Sequence, residues 1–167
     1  PIAAGEIPPQ VKEVFQGVDL ILHAGDIYVV GVLDELQSIA PVLAAIGDDD
    51  FGAVVLDERV KEEHSLSVDG VRVTLTHIIE SPALLRSRMR NFKSLTSPEH
   101  YTKEWYGNVA DIFVFGDTHQ AVIDYYQGFL LVNPGSPTLP NYQAKLGTVG
   151  LLTITPGKVE VHITQLS

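Results

Sequence analysis

Four short segments gather the residue types that hold metal ions: His23-Ala24-Gly25-Asp26, Gly47-Asp48-Asp49-Asp50, Thr76-His77 and Gly116-Asp117-Thr118-His119. Carboxylates and imidazoles together offer oxygen and nitrogen donors to a hard or borderline divalent cation such as Mn²⁺, Fe²⁺ or Zn²⁺. The chain has no cysteine, so thiolate ligands, disulfides and a cysteine nucleophile are excluded, and His and carboxylate must bind any metal. Taken singly, an Asp after a Gly is ordinary turn chemistry. Four such segments, each at the end of a predicted strand, point instead to one shared rim, because open α/β sheets bind ligands just beyond the carboxyl ends of their strands.

The elements that must carry these segments follow from hydrophobic spacing. Pro8-Pro9 can open a helix, and Val11, Val14, Phe15 and Val18 follow at i, i+3, i+4, i+7. Residues 19–23 read as a strand buried on both faces. Val29, Val32, Leu33, Leu36 and Ala40 repeat the helical period, and 41–46 read as a second buried strand. Strand, helix and strand in about 30 residues make a parallel βαβ unit. The same logic expects a further strand before the first helix, and 1–7 is too short and too rich in Pro and Gly to supply it.

The second half reads differently. Residues 65–68 and 71–77 alternate with period two around Asp69-Gly70, a type I′ hairpin signal. A helix is expected over 82–93, with Leu85, Met89 and Phe92 on one stripe. An irregular excursion over 94–108 holds Tyr101, Trp105 and Tyr106, either a lid or dimer contact or core packing. Residues 112–115 form a buried strand, and hairpins follow around Gln127-Gly128 and Pro156-Gly157, the last strand running from Lys158 to Gln165.

With 11 Lys and Arg against 21 Asp and Glu, the net charge is −10, which argues against broad electrostatic capture of nucleic acid. A length of 167 residues, 45% hydrophobic, suits one globular domain over 1–167. No apolar run approaches the ~20 residues of a membrane span, and no signal-peptide pattern opens the chain. A cytoplasmic protein with no membrane partner is therefore expected. The chain begins at Pro1, which fits a truncated start.

At these residues the sequence resembles the calcineurin-like metallophosphoesterases, in their small single-domain phosphodiesterase branch. The family pattern runs Asp-x-His, Gly-Asp, Gly-Asn-x-Asp or Gly-Asn-His, Thr-His-Gly and Gly-His-x-His. Gly25-Asp26, Gly47 to Asp50, Thr76-His77 and Gly116 to His119 match its last four blocks in order, and Asn133-Pro134-Gly135-Ser136-Pro137 resembles the loop that follows. The resemblance implies a four-layer α-β-β-α sandwich of two sheets flanked by helices, here without its first strand. It also implies two divalent ions: Asp26 bridging both, Asp48, His77 and Asp117 on the second, and His119 on the first. A small phosphoester would then be hydrolysed by attack of a hydroxide shared by the two ions.

The departures from the family pattern carry expectations of their own. Asp-x-His is absent from this chain, leaving the first ion only Asp26 and His119. Asp48 stands where the family usually has Asn, and Asp117 where it has His; added carboxylate favours Mn²⁺, with Fe²⁺, Ni²⁺ and Zn²⁺ as alternatives. Asp49 occupies the place of a residue thought to assist the leaving group, and is either that catalytic group or a turn carboxylate. Arg86, Arg88, Arg90 and Lys93 form either a phosphate-attracting patch, with Arg86 and Arg90 touching substrate, or a solvated helix face. His64, His100 and His162 match no motif and read as surface or packing residues. The alternative to an enzyme is a non-catalytic interaction module, like the retromer scaffolding subunit that shares the family's fold. Self-association is left open.

Overall fold

The computed structural model describes residues 6–78, 110–126 and 129–167. Helix α1 (Pro9–Val14) opens on a proline, whose missing N–H falls where no helical partner exists. It buries Val11, with Val14, Phe15 and Val18 packed alongside. The helix stops short of Val18 because the chain turns through Gly17, at φ +83°. Strand β1 (Ile21–His23), helix α2 (Val30–Gln37) and strand β2 (Val42–Ala45) form the expected unit: β1 and β2 run parallel, Ile21 beside Val42 and His23 beside Ala44. A two-residue strand β3 (Val60–Lys61) adds in parallel to β2, too short for any periodic signal.

The remaining strands are β4 (Glu63–Val68), β5 (Val71–Thr76), β6 (Ile112–Val114), β7 (Ala121–Tyr126), β8 (Phe129–Pro134), β9 (Thr148–Thr155) and β10 (Lys158–Gln165). Asp69 and Gly70 join β4 to β5 with φ of +48° and +84°, the two positive angles of a type I′ turn. Strands β4 to β8 form a five-stranded sheet in the order β4-β5-β6-β8-β7, with β5, β6 and β8 parallel. The opposite side of the sandwich consists of two hydrogen-bonded units, β1-β2-β3 and the β9-β10 hairpin.

One core packs α1 and α2 on β1 and β2, through Leu33, Leu36, Ile21, Val42 and Ala44, with Val149 of β9 joining them. A second lies between the sheets, where Val73, Leu75, Ile112, Val114, Leu130 and Val132 meet Leu22, Leu43, Leu152 and Val161. Phe113, Phe115 and Leu131 gather on the other face of the five-stranded sheet. Residues of β1 and β9 also line a cavity of about 620 Å³, walled by Leu66, Val73, Val114 and Val132 and reaching Asp26, Asp117 and His119.

This is the mixed α/β sandwich expected from sequence. The helix expected over 82–93, with Arg86, Arg88, Arg90 and Lys93, lies outside the described residues, as do His100, Tyr101, Trp105, Tyr106 and the Gln127-Gly128 turn. Among the described residues no helix is long and apolar enough to cross a membrane.

Candidate metal centre

Each predicted ligand sits where a strand gives way to a loop at one end of the sandwich. Asp26 follows β1, Asp48 follows β2, His77 follows β5, and Asp117 and His119 follow β6. The loops meet closely enough to exclude side chains at two glycines. A Cβ on Gly25 would overlap the His77 imidazole, and one on Gly47 would overlap Asp26. The Gly116 amide donates to the His77 carbonyl at 2.9 Å, tying the β5 and β6 ends together. Asp26, Asp117 and His119 are held at φ +57°, +63° and +54°, a left-handed backbone uncommon outside glycine.

The geometry gathers two sets of donors that meet at His77. Asp48, His77 and Asp117 place one ligand atom each within 4.8 Å of one another. Asp26 Oδ1 stands 3.5 Å from His77 Nε2, and Oδ2 stands 3.3 Å from His119 Nε2, so the carboxylate lies between the two imidazoles. Both rings are oriented from behind. His77 Nδ1 donates to the Ala24 carbonyl at 2.6 Å and His119 Nδ1 donates to the Leu139 carbonyl at 3.1 Å. A carbonyl can only accept, so each ring carries a proton on Nδ1 and turns its Nε2 toward Asp26.

Further residues hold this arrangement, and the sequence reading had given none of them a role. Asp50, buried, accepts the Ile27 and Tyr28 amides on Oδ1 at 2.6 and 2.9 Å and the Gly47 amide on Oδ2 at 2.8 Å. It thereby splices the Asp26 loop to the Asp48 loop; its place closing the Gly47 to Asp50 block was the signal available. Asn133, fully buried, donates to the Gly116 carbonyl at 2.6 Å and Thr118 Oγ1 at 3.1 Å, and accepts the Gly135 amide at 2.9 Å. Tyr142 stacks on His119 with ring centroids 4.6 Å apart, and its hydroxyl donates to the Asp117 carbonyl at 3.2 Å. Asn141 and Tyr142 are themselves at φ +51° and +59°.

Asp49 is exposed beside Asp48, and its Oδ2 accepts the Tyr28 hydroxyl at 2.9 Å. Partial burial, then that hydrogen bond and the surrounding aspartates, push the Tyr28 phenol up to about 12, so it is protonated at neutral pH. His23 is in the other direction: burial pulls its imidazole down to about 4, and its Nδ1 has no hydrogen-bond partner among the described residues. His64 is a packing residue, its Nε2 2.9 Å from the Ala44 carbonyl, and His162 is exposed. Arg86 and Arg90 lie outside the described residues, so the site is drawn without them.

The donor set fits a divalent cation. Asp26 Oδ1 is buried with no hydrogen-bond partner among the described residues, an arrangement that costs free energy unless a cation or donor meets it. Beside it stand the His77 and His119 imidazoles, and the carboxylates of Asp48 and Asp117 converge with His77, both rings being braced by carbonyls as metal-binding histidines are.

Known proteins resemble this chain in sequence and in fold. Residues 3–157 match the model of the calcineurin-like phosphoesterase superfamily domain. A probable metallophosphoesterase of Methanothermobacter thermautotrophicus is 34% identical over 142 residues, covering 84% of this chain and 73% of that protein. Another, of Methanocaldococcus jannaschii, is 30% identical over 143 residues, covering 85% of this chain and 65% of that protein. Among solved structures, a novel archaeal phosphodiesterase superposes with a TM-score of 0.63 at 19% identity, over 93% of this chain and 92% of that one. Vps29 of Entamoeba histolytica complexed with Zn²⁺ superposes with a TM-score of 0.61 at 18% identity, over 99% and 93%. At such identities these two structures show the shared fold alone. With a domain match over most of its length and a relative above 30% identity, the chain belongs to the calcineurin-like metallophosphoesterase family.

Proposed function

We propose that the protein is a metal-dependent phosphodiesterase acting on small phosphoesters. The observation that carries this reading is His77, which stands beside the Asp26 carboxylate and converges with Asp48 and Asp117, while His119 stands on the other oxygen of Asp26. Asp26, Asp48, His77 and Asp117 would hold one ion, and Asp26 with His119 would contribute to a second. Bound divalent ions supply a water acidic enough to attack at neutral pH and positive charge for the phosphoryl oxygens. Mn²⁺ is the proposed ion, because oxygen donors outnumber nitrogen donors in the first set.

The chain's own part is to position and to move protons. Ala24 and Leu139 fix the two imidazoles, Asp50 and Asn133 fix the loops, and the rigid ends of β1, β2, β5 and β6 set the spacing. Asp49 is proposed at the leaving-group side, where the Tyr28 hydroxyl hydrogen-bonded to it is the proton-bearing member of the pair. Arg86 and Arg90 are proposed to draw the anionic substrate toward a chain of charge −10.

A second reading, a non-catalytic interaction module, is favoured by one observation. Among the described residues a single three-ligand group gathers, and Vps29 structures share the fold. Hydrolysis of bis-p-nitrophenyl phosphate with Mn²⁺, compared between the wild type and Asp117→Ala, separates the two. The enzyme reading expects turnover that Asp117→Ala removes. No turnover, in a protein whose melting temperature nonetheless rises with Mn²⁺, supports the module.

A further inference from the structure

Strand β7 is the outer strand of the five-stranded sheet, and its backbone polarity can be worked out from its neighbour. The Leu130 amide donates to the Asp111 carbonyl and the Phe115 amide donates to the Val132 carbonyl, so Leu130 and Val132 turn their backbone groups toward β6. Phe129, Leu131 and Asn133 must therefore turn theirs toward β7, where they face Tyr126, Asp124 and Val122. By alternation the N–H and C=O groups of Ala121, Ile123 and Tyr125 point away from the sheet. No described residue hydrogen-bonds to them.

The side chains make this edge open to pairing. Val122, Ile123 and Tyr125 are 38%, 44% and 72% exposed, and Ile123 and Tyr125 share a face with Val132 and Leu130 of the inter-sheet core. Asp124 is the one charge in the strand, and neither lysine, proline nor bulge blunts it. Other edges are protected or used. β10 carries Lys158, Glu160 and exposed His162, β4 carries Glu63, Ser65 and Ser67, β3 is two residues long, and β1 and β9 border the cavity of about 620 Å³.

We infer that β7 is a homodimer interface, pairing antiparallel with β7 of a second copy across a twofold axis at Ile123. The strand is self-complementary in that register. The outward groups of Ile123 meet their own symmetry mates, and those of Ala121 and Tyr125 meet each other, so every exposed donor finds an acceptor. On the apolar face, Ile123 lies against Ile123 of the second copy, and the large Tyr125 lies beside the small Ala121. On the other face Asp124 meets Val122. The register shifted to centre on Asp124 would place two carboxylates directly opposite, which is unfavourable. The two sheets would join into one of ten strands. This inference is independent of the reading of the metal centre.

Light scattering and sedimentation of the whole chain, from low micromolar to submillimolar concentration, should give twice the monomer mass. Ile123→Lys should give the monomer with an unchanged far-UV spectrum. The chain has no cysteine, so one introduced thiol reports without interference. Ile123→Cys should cross-link under mild oxidation, its Cα spacing of about 5.5 Å lying within disulfide range. Val122→Cys and Asp124→Cys should not. A monomer at every concentration, a dimer untouched by Ile123→Lys, or cross-linking through position 124 instead of 123 would each overturn the inference.

Discussion

The Asp50 carboxylate accepts the Ile27 amide at 2.6 Å across 23 positions of sequence, and through that bond the β1 and β2 loops behave as one piece. Asp50→Asn leaves a side-chain oxygen for Ile27 and Tyr28 but sets an NH₂ against the Gly47 amide, two donors face to face. A loss of about 1–3 kcal/mol of stability is expected, with Mn²⁺ affinity lowered roughly 10- to 100-fold as the ligand loops separate. Urea unfolding and calorimetric Mn²⁺ titration test both; an unchanged urea midpoint would remove the splice from the account.

Asp117 is one of three residues whose ligand atoms converge within 4.8 Å. Asp117→Ala should weaken Mn²⁺ binding by more than about tenfold, since even an outer-shell partner commonly costs that much. Asp117→His exchanges an oxygen for a nitrogen donor and should move the preference from Mn²⁺ toward Zn²⁺. Competition titrations with the two ions decide it, and identical preferences in wild type and Asp117→His would contradict the proposed role.

Tyr142 covers one face of His119 while its hydroxyl holds the Asp117 carbonyl. Tyr142→Phe should keep the stack and Tyr142→Ala should lose it. In ¹⁵N-imidazole NMR the His119 Nδ1–H signal is expected to stay in the phenylalanine variant and to shift or exchange away in the alanine variant. Equal spectra from both variants would mean that the Leu139 carbonyl alone orients the ring.

His23 titrates near 6.5 in the unfolded chain and at about 4 in the fold, because burial disfavours its charged form. The unfolded state binds the extra proton between those values. Stability should therefore be whole above about pH 6.5 and fall as pH drops toward 4, the full loss being on the order of 3 kcal/mol. His23→Leu should flatten this window. The acid loss that remains should lie lower, where Asp57 and Asp111, held down by hydrogen bonds from Arg59 and Arg72, take up protons. Melting temperatures of both proteins across that range test the assignment, and parallel curves would refute it.

Much of this was legible because local chemistry and fold agree. Asp69-Gly70 and Pro156-Gly157 announced their hairpins through turn chemistry, and the last strand runs from Lys158 to Gln165 as read. The spacing of Gly-Asp and Thr-His segments located the rim because glycine is required wherever three loops approach so closely. β3 escaped notice because two residues have no period. The Asn141-Tyr142 turn was illegible for another reason: its positive φ angles are upheld by His119 and Asp117, partners more than 20 positions away. Asp50 and Asn133 were legible only as members of matching blocks, since an acid or amide in a glycine-rich stretch looks the same whether it caps its own turn or ties two loops together.

Asp26, Asp117 and His119 sit on left-handed backbone that ordinary side chains adopt at a cost of order 1–3 kcal/mol each. Besides the ladders and packed cores at either end, a few hydrogen bonds from Asp50, Asn133 and Tyr142 hold these loops in that shape. Loosening those few bonds would release the rim while the sheets stay paired. The geometry of the rim thus depends on a handful of side-chain hydrogen bonds, whereas the melting of the chain depends on the sandwich, and a cation held by the rim would tie the two together.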